Sequence, residues 1–363
     1  MLDTRNAVGY SGSKPAAGSS VAVPVRGLYG VPSNATAVAV QVTATATQGP
    51  TFLSVLPTGT APGLTSNLNA DAAGATIANL AIVPIGPDGS ITVYTSAAAH
   101  LILDLSGWWT PVTTEVAGGR YQPIGPNRIL DTRPISRKNY VGSKPAAQTA
   151  TVVQVTGVEG VPITGVSAVS VNITLVDPSG PGFVQTAPAA QLIPGQSSTM
   201  NVVSAGQVIA ASTLVPVDAN GRIAIYAEPS THLIVDVNGW FTDGTNTAGI
   251  DGLFVATTVG RQLDSRPGGQ GYVGPKPTVG SRFETGCAGA ALVGNLTVAA
   301  TEGPGFVQAG PAATMVSGAT SSINVSGANE TRANALITPC NHGVALFTSF
   351  ATHVILDVSG YMT

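Results

Sequence analysis

One unit is written three times along this chain, and that limits the fold more than any other feature. The unit opens with LDTR at 2–5, LDTR at 130–133 and LDSR at 263–266. YSGSKP at 10–15, YVGSKP at 140–145 and YVGPKP at 272–277 come next. GPTFLS at 49–54 returns as GPGFVQ at 180–185 and 303–308, and a Ser-rich turn ends in Asn in TSNLN (65–69), SSTMN (197–201) and TSSIN (320–324). Each copy closes on one strand-like segment: HLILDLSGWW at 100–109, HLIVDVNGWF at 232–241 and HVILDVSGYM at 353–362. The expected units are 1–112, 120–243 and 252–363, joined by linkers too short to tether them freely.

Within a unit the apolar period is 2. AVAVQVTATA, AVSVNITLV and GRIAIYAE alternate or carry β-branched residues, and GVPSN, PDG, DANG and PSGPG punctuate them as turns. No segment reads as an amphipathic helix. The expectation is an all-β chain of three tandem homologous antiparallel β-sandwiches, jelly-roll-like, with about eight or nine short strands in each. The 44 glycines and 26 prolines suit many tight turns, and a hydrophobic fraction of 44% argues against disorder.

The charge content narrows the partners. Fifteen Lys and Arg against eighteen Asp and Glu give a net charge of −3, with only 9% of residues charged. Nucleic acid is therefore not expected as a partner. No apolar run reaches the roughly 18–20 residues of a membrane-spanning helix, so membrane insertion is not expected. The first residues, MLDTRNAVGYSGSKP, lack the basic and apolar regions of a secretory signal.

Several constellations invite chemistry. Alternation along LDTR places Asp3 and Arg5 on one face, and alternation along HLILD joins His100, Ile102 and Asp104. An aspartate inside an apolar strand needs a cation, and the arginine fork fits a carboxylate. The expected structural ion pairs are Asp104 with Arg5, Asp236 with Arg133 and Asp357 with Arg266, closing first strand onto last. The alternative is a ligand site built on the same Asp and Arg. Catalysis is not expected. The repeated His and Asp lie about 13 Å apart on a strand at roughly 3.3 Å per residue, no nucleophile recurs, and no glutamate pair repeats. No cofactor and no metal are expected.

Tyr10, Tyr140 and Tyr272 with Asn69, Asn201 and Asn324 form a candidate ligand surface, since aromatic rings beside amides suit a sugar. The alternative is that they only complete turns. Trp108, Trp109 and Trp240 read as packing at the domain exit. Cys287 and Cys340 lie in one copy, the first opening a strand and the second ending one, and are a disulfide candidate; the alternative is two buried thiols.

These words in this order, from LDTR through G-x-K-P, GF, S-x-N and DG to HLIVDVNGWF, resemble a repeat common in actinobacterial extracellular and cell-wall-associated proteins. Similar repeats occur in minor tail proteins of phages that infect those bacteria. The likeness covers nearly the whole chain and brings no catalytic residue. Copy one departs where Met1 stands in place of a lead-in like Arg128-Ile129, and copy three has Cys287-Ala-Gly for GVP. The resemblance implies a non-enzymatic structural or attachment protein of a virion, a tail or fibre-type component meeting the host surface. The rival is a secreted or wall-bound carbohydrate-binding protein. Expected partners are other virion or cell-surface proteins and a cell-wall polysaccharide, with the chain a homo-oligomer or part of a larger assembly.

Overall fold

The computed structural model describes residues 1–62, 65–340 and 342–363, and among them the one helical element is a short 3-10 turn at Ala189–Gln191. The first repeat supplies β1 (Leu2–Asp3), β2 (Ser19–Pro24), β3 (Ala37–Thr45), β4 (Thr51–Pro57), β5 (Leu68–Ala70), β6 (Ile77–Pro84), β7 (Ser90–Thr95) and β8 (His100–Trp109). The second supplies β9 (Tyr121–Asp131), β10 (Thr149–Gln154), β11 (Val166–Val176), β12 (Gly182–Pro188), β13 (Met200–Val202), β14 (Val208–Pro216), β15 (Arg222–Ala227) and β16 (His232–Thr242). The third supplies β17 (Phe254–Asp264), β18 (Arg282–Thr285), β19 (Ala291–Ala299), β20 (Gly305–Pro311), β21 (Ile323–Val325), β22 (Arg332–Pro339), β23 (Val344–Thr348) and β24 (His353–Met362).

Among the described residues the chain is all-β, and its strands form six four-stranded sheets, two from each repeat. In the first repeat the orders are β1-β8-β3-β6 and β2-β7-β4-β5, and the other repeats follow the same scheme. Every ladder is antiparallel, as β3 on β8 and β4 on β7 illustrate. Six four-stranded sheets is the inventory of a six-bladed propeller. The connectivity differs from that of ordinary propellers, whose blades are consecutive meanders, because here each sheet takes strands far apart in the repeat.

Period-two patterning explains the packing. Val38, Val40 and Val42 of β3 share one apolar cluster with Val21, Leu53 and Val93 of the companion sheet. Val171 and Val235 do so with Val153 and Ile225 in repeat 2, and Leu296 and Leu356 with Val307 and Leu346 in repeat 3. Each such side chain contributes about 1.5–3 kcal/mol on burial. The alternate residues of the same strands are also buried, which a lone half-solvated sheet would not require. They face the other repeats. A fourth cluster joins Ala39, Leu80 and Ile82 of repeat 1, Tyr121 and Phe241 of repeat 2, and Val293, Ile337 and Met362 of repeat 3. The equivalent strands β6, β14 and β22 touch one another at this centre.

Polar residues on those inward faces close the set. The Gln41 amide donates to the Thr199 carbonyl of repeat 2 at 2.9 Å. Asn172 of repeat 2 donates to Ser321 of repeat 3 at 2.7 Å, and Asn295 of repeat 3 donates to Ser66 of repeat 1 at 2.7 Å. Three equivalent side chains thus reach the Ser-rich turn of the next repeat in a cycle, a head-to-tail contact that closes as a ring. The linkers also pack: Val116 and Gly249 exchange backbone hydrogen bonds at 3.0 Å.

Candidate functional site: the aspartate strands and the groove between repeats 1 and 2

The repeated aspartates are placed as the alternation implies, but their expected arginines are not their partners. Asp236 receives Arg128 through Nε at 2.9 Å and Nη2 at 3.2 Å, not Arg133. Asp357 receives Arg261 through Nε at 2.9 Å and Nη2 at 3.2 Å, not Arg266. Asp104 makes no salt bridge with Arg5, which binds Asp3 instead. Arg128 and Arg261 each stand two residues ahead of the leucine that opens the repeat's LDTR or LDSR motif. Burial pushes all three carboxyls above the usual aspartate range; Arg128 and Arg261 pull back on Asp236 and Asp357.

The arginine of LDTR is elsewhere because the first strand ends at its aspartate. Asp131 Oδ1 accepts the backbone N–H of Arg133 at 3.0 Å, an Asx-type turn, and the Arg133 fork folds back on the same carboxylate at 3.0 and 2.7 Å. Asp3 with Arg5 and Asp264 with Arg266 repeat this geometry. The clamp onto the last strand is made by the next side chain. Thr4, Thr132 and Ser265 hydroxyls accept the N–H of Leu101, Leu233 and Val354 at 2.9, 2.9 and 2.8 Å. The same hydroxyls meet Nδ1 of His100, His232 and His353 at 3.0, 3.2 and 3.4 Å. Each histidine is thereby tied to the clamp, four residues from the aspartate.

The Tyr and Asn positions are not brought together by any hydrogen bond or ring contact among the described residues. Tyr140 and Tyr272 fold over their own turns, donating to the Ser143 and Pro275 carbonyls at 2.8 and 3.0 Å, and both lean on their repeat's core. Tyr10 packs likewise on its core, and a Cβ at Gly12 would collide with its ring, which explains Y-x-G. The following lysines pin a turn. Lys14 donates to the Ala46 carbonyl at 2.8 Å, Lys144 to that of Asp177 and Lys276 to that of Ala300 at 2.5 Å. Those three residues have φ of 49°, 55° and 50°. Asn69 and Asn201 each accept a neighbouring serine hydroxyl at 3.1 Å. Asn324 is buried with an unpartnered Oδ1. Cys287 and Cys340 form the expected disulfide, with Cα atoms 6.1 Å apart.

A groove lies between repeats 1 and 2. One lobe, about 560 Å³, lies among Ala72, Ala73, Ala75, Phe183, Asn201, Glu228 and Arg332. A second, about 370 Å³, runs past Asp104, Arg5 and Ser198, and both lobes are lined by Thr76, Phe183 and Asn201. The counterparts of the second lobe, beside Asp236 and beside Asp357, hold only about 10 and 20 Å³. Arg332 comes from repeat 3, so all three repeats contribute to the first lobe. Asp71 there accepts the N–H of Thr331 at 3.2 Å; burial raises its pKa and Arg332 opposes that rise.

Of the expected ligand residues, Asn201 lines this groove and no expected tyrosine does. Phe183, Glu228 and Arg332 were not singled out by sequence. The available signal was the run AAGA at 72–75, where the matching turns carry Gln207 and Glu330; small side chains leave the lobe open. Among the described residues no group of three His, Cys, Asp or Glu side chains is placed to hold a metal. No described helix is long and apolar enough to cross a membrane.

No family model and no curated protein match the chain. Among solved structures it is similar, over 96% of its length and 84% of the other's, to a chain from "The Triple Jelly Roll Fold and Turret Assembly in an Archaeal Virus". That similarity has a TM-score of 0.19 and 9% identity, too loose to transfer either fold or role.

Proposed function

We propose that the chain is a non-enzymatic structural and attachment protein of a virion, built from three jelly-roll-like sandwiches locked into a ring. The sandwich reading is supported by two sheets per repeat over one shared apolar cluster. The observation that carries the role is the cyclic set of amide contacts from Gln41, Asn172 and Asn295. Repeats joined this way act as one rigid body, which suits a component whose work is to hold shape and present a surface. The resemblance of its motifs to actinobacterial wall proteins and phage tail proteins points to a host-facing position.

A second reading, a secreted or wall-associated carbohydrate-binding protein, is favoured by the first lobe of the groove. There the apolar ring of Phe183 stands beside the Asn201 amide, the arrangement a sugar ring needs. Both readings expect retention of the intact protein on actinobacterial cell walls. Loss of retention in Asn201→Ala, with competition by soluble neutral polysaccharide, favours the carbohydrate reading. Retention unaffected by that variant favours attachment through another face. Retention no better than background removes attachment and leaves a purely architectural role.

A further inference from the structure

The repeats break their own pattern at matching positions, and the breaks meet in the first lobe of the groove. Two residues after the Asn that ends each Ser-rich turn stand Asp71, Val203 and Ser326; seven residues after it stand Thr76, Val208 and Thr331. Around the ring one set meets the other. Asp71 Oδ1 accepts the N–H of Thr331 at 3.2 Å, and Ser326 Oγ accepts that of Val208 at 3.0 Å. Val203 has no side-chain oxygen, so the third junction, from repeat 2 to repeat 1, lacks this bond to Thr76. Val203 is exposed, and it lines the lobe together with Thr76.

Two charged residues depart from the pattern in the same place. Four residues before each repeated histidine stand Ser96, Glu228 and Ser349. The Ser96 and Ser349 hydroxyls accept the N–H of Phe52 and Phe306 at 2.9 and 2.8 Å. Repeat 2 puts Glu228 there beside Phe183, and among the described residues its carboxylate takes part in no hydrogen bond or ion pair. The position of Ile77 and Ile209 holds Arg332 in repeat 3. Its Nε donates to Glu330 Oε2 at 3.0 Å, and its side chain stays 12% exposed. Val203, Glu228 and Arg332 have no like residue at the matching positions of the other repeats, and all three line one lobe.

We infer, building on the carbohydrate reading, that this lobe is the chain's one sugar site, selective for an uncharged polyhydroxylated ring. A Phe paired with an Asn recurs in every repeat, as Phe52 with Asn69 and Phe306 with Asn324, so a site made of those two alone would occur three times. The departures occur once. Carboxylates only accept hydrogen bonds, a guanidinium only donates, and a hydroxyl does both. Neighbouring hydroxyls of a sugar can therefore donate to Glu228 and accept from Arg332 or the Thr76 N–H, while the ring face lies on Phe183. A uronate would meet the carboxylates of Asp71 and Glu228 against one arginine already held by Glu330. An ammonium group satisfies Glu228 but has no lone pair for Arg332. The lobe's volume of about 560 Å³ falls within the roughly 300–1,000 Å³ of small-molecule sites.

The test titrates the full chain by calorimetry with neutral malto-, galacto- and arabino-oligosaccharides, with oligogalacturonate and with chitosan oligomers. The expected result is saturable binding of a neutral oligosaccharide at one site per chain, about tenfold or more tighter than either charged probe. Glu228→Ser and Val203→Ser install what sister repeats already hold at those positions. The first should weaken binding about tenfold, through loss of a hydrogen bond to a charged group, and the second about threefold or more, by placing a hydroxyl on the Thr76 N–H. Asn69→Ala should leave binding unchanged. If Val203→Ser fails to fold, Glu228→Ser decides alone. Three equivalent sites, a preference for a charged probe, or indifference to a folded serine variant overturns the single neutral-sugar site while the carbohydrate reading stands. Absence of saturable binding by every probe overturns both.

Discussion

The pairing of Asp236 can be tested by a pair of double-mutant cycles. The Asp236 side chain is 1% exposed and Arg128 24% exposed, so the pair is largely shielded from water and from salt. Asp236→Ala strands the guanidinium, and loss of one partner of a buried pair costs about 3–5 kcal/mol. The lower end of that range applies here, because Arg128 also lies 3.6 Å from Asp131 and keeps a partial countercharge. Arg128→Ala strands the carboxylate instead. Combined, the two changes should show a coupling of about 1–3 kcal/mol, the range for residues in one ion-pair network. The cycle of Asp236 with Arg133 should give about 0.5 kcal/mol or less, since Arg133 is committed to Asp131 at 2.7 Å. Urea unfolding of the single and double variants, with unchanged m-values, measures both. A coupling to Arg133 larger than that to Arg128 would refute the assignment.

Three further outcomes follow from the same geometry. Hydrogen bonds from Arg133 and Ser136 hold the Asp131 carboxyl below its ordinary 3.8 although burial, the largest single effect, pushes it up; a lowered carboxylate stabilises above 3.8 and loses that contribution as pH falls through the folded value. The stability gap between wild type and Asp131→Asn, measured by urea midpoint, should therefore be full above 3.8 and shrink below it; an unchanged gap contradicts this. Gly239→Ala should destabilise by about 1–3 kcal/mol or more through collision with the Tyr121 ring, whereas Gly107→Ala, whose Cβ would meet nothing within 4 Å, should be near neutral; equal costs in thermal unfolding would contradict this difference. Reducing the Cys287–Cys340 bond, which spans a separation of 53 residues, should cost about 4 kcal/mol in the chain-entropy description, read as a lower urea midpoint under reductant; no change would contradict it.

Much of the fold is legible in the residues, and the failures have physical causes. The alternation of Val38, Val40 and Val42 identifies strand and core face, because side-chain direction in a strand has period two. The same alternation sends Ala39, Gln41 and Thr43 to the other face, where a local pattern cannot distinguish solvent from a neighbouring repeat. Nothing local in the sequence therefore marks Gln41 and Asn172 as the side chains that join repeats. The Asp–Arg assignment failed because alternation was extended two residues too far: β1, β9 and β17 end at Asp3, Asp131 and Asp264, and each arginine turns back. The correct partners, Arg128 and Arg261, stand in the lead-in ahead of the motif, where only a three-dimensional register reveals them. The disulfide was legible because both cysteines fall in one copy; Cys340 directly follows β22 as expected, whereas Cys287 stands in the loop between β18 and β19 rather than opening a strand.

The central claim is that three repeats form one closed body rather than three beads on a string. Differential scanning calorimetry of the intact chain, with Asn172→Leu as the perturbation, tests it directly. Asn172 donates to the Ser321 carbonyl and accepts the Asn334 amide across one junction, and it accepts Ser212 Oγ within its own repeat, so the variant strips partners from a part-buried carbonyl and from a buried amide at about 1–3 kcal/mol. The account predicts a single transition for wild type, with calorimetric and van't Hoff enthalpies equal, moved as a whole to lower temperature in the variant. Separate transitions, with only the one belonging to repeat 2 displaced by Asn172→Leu, would contradict it.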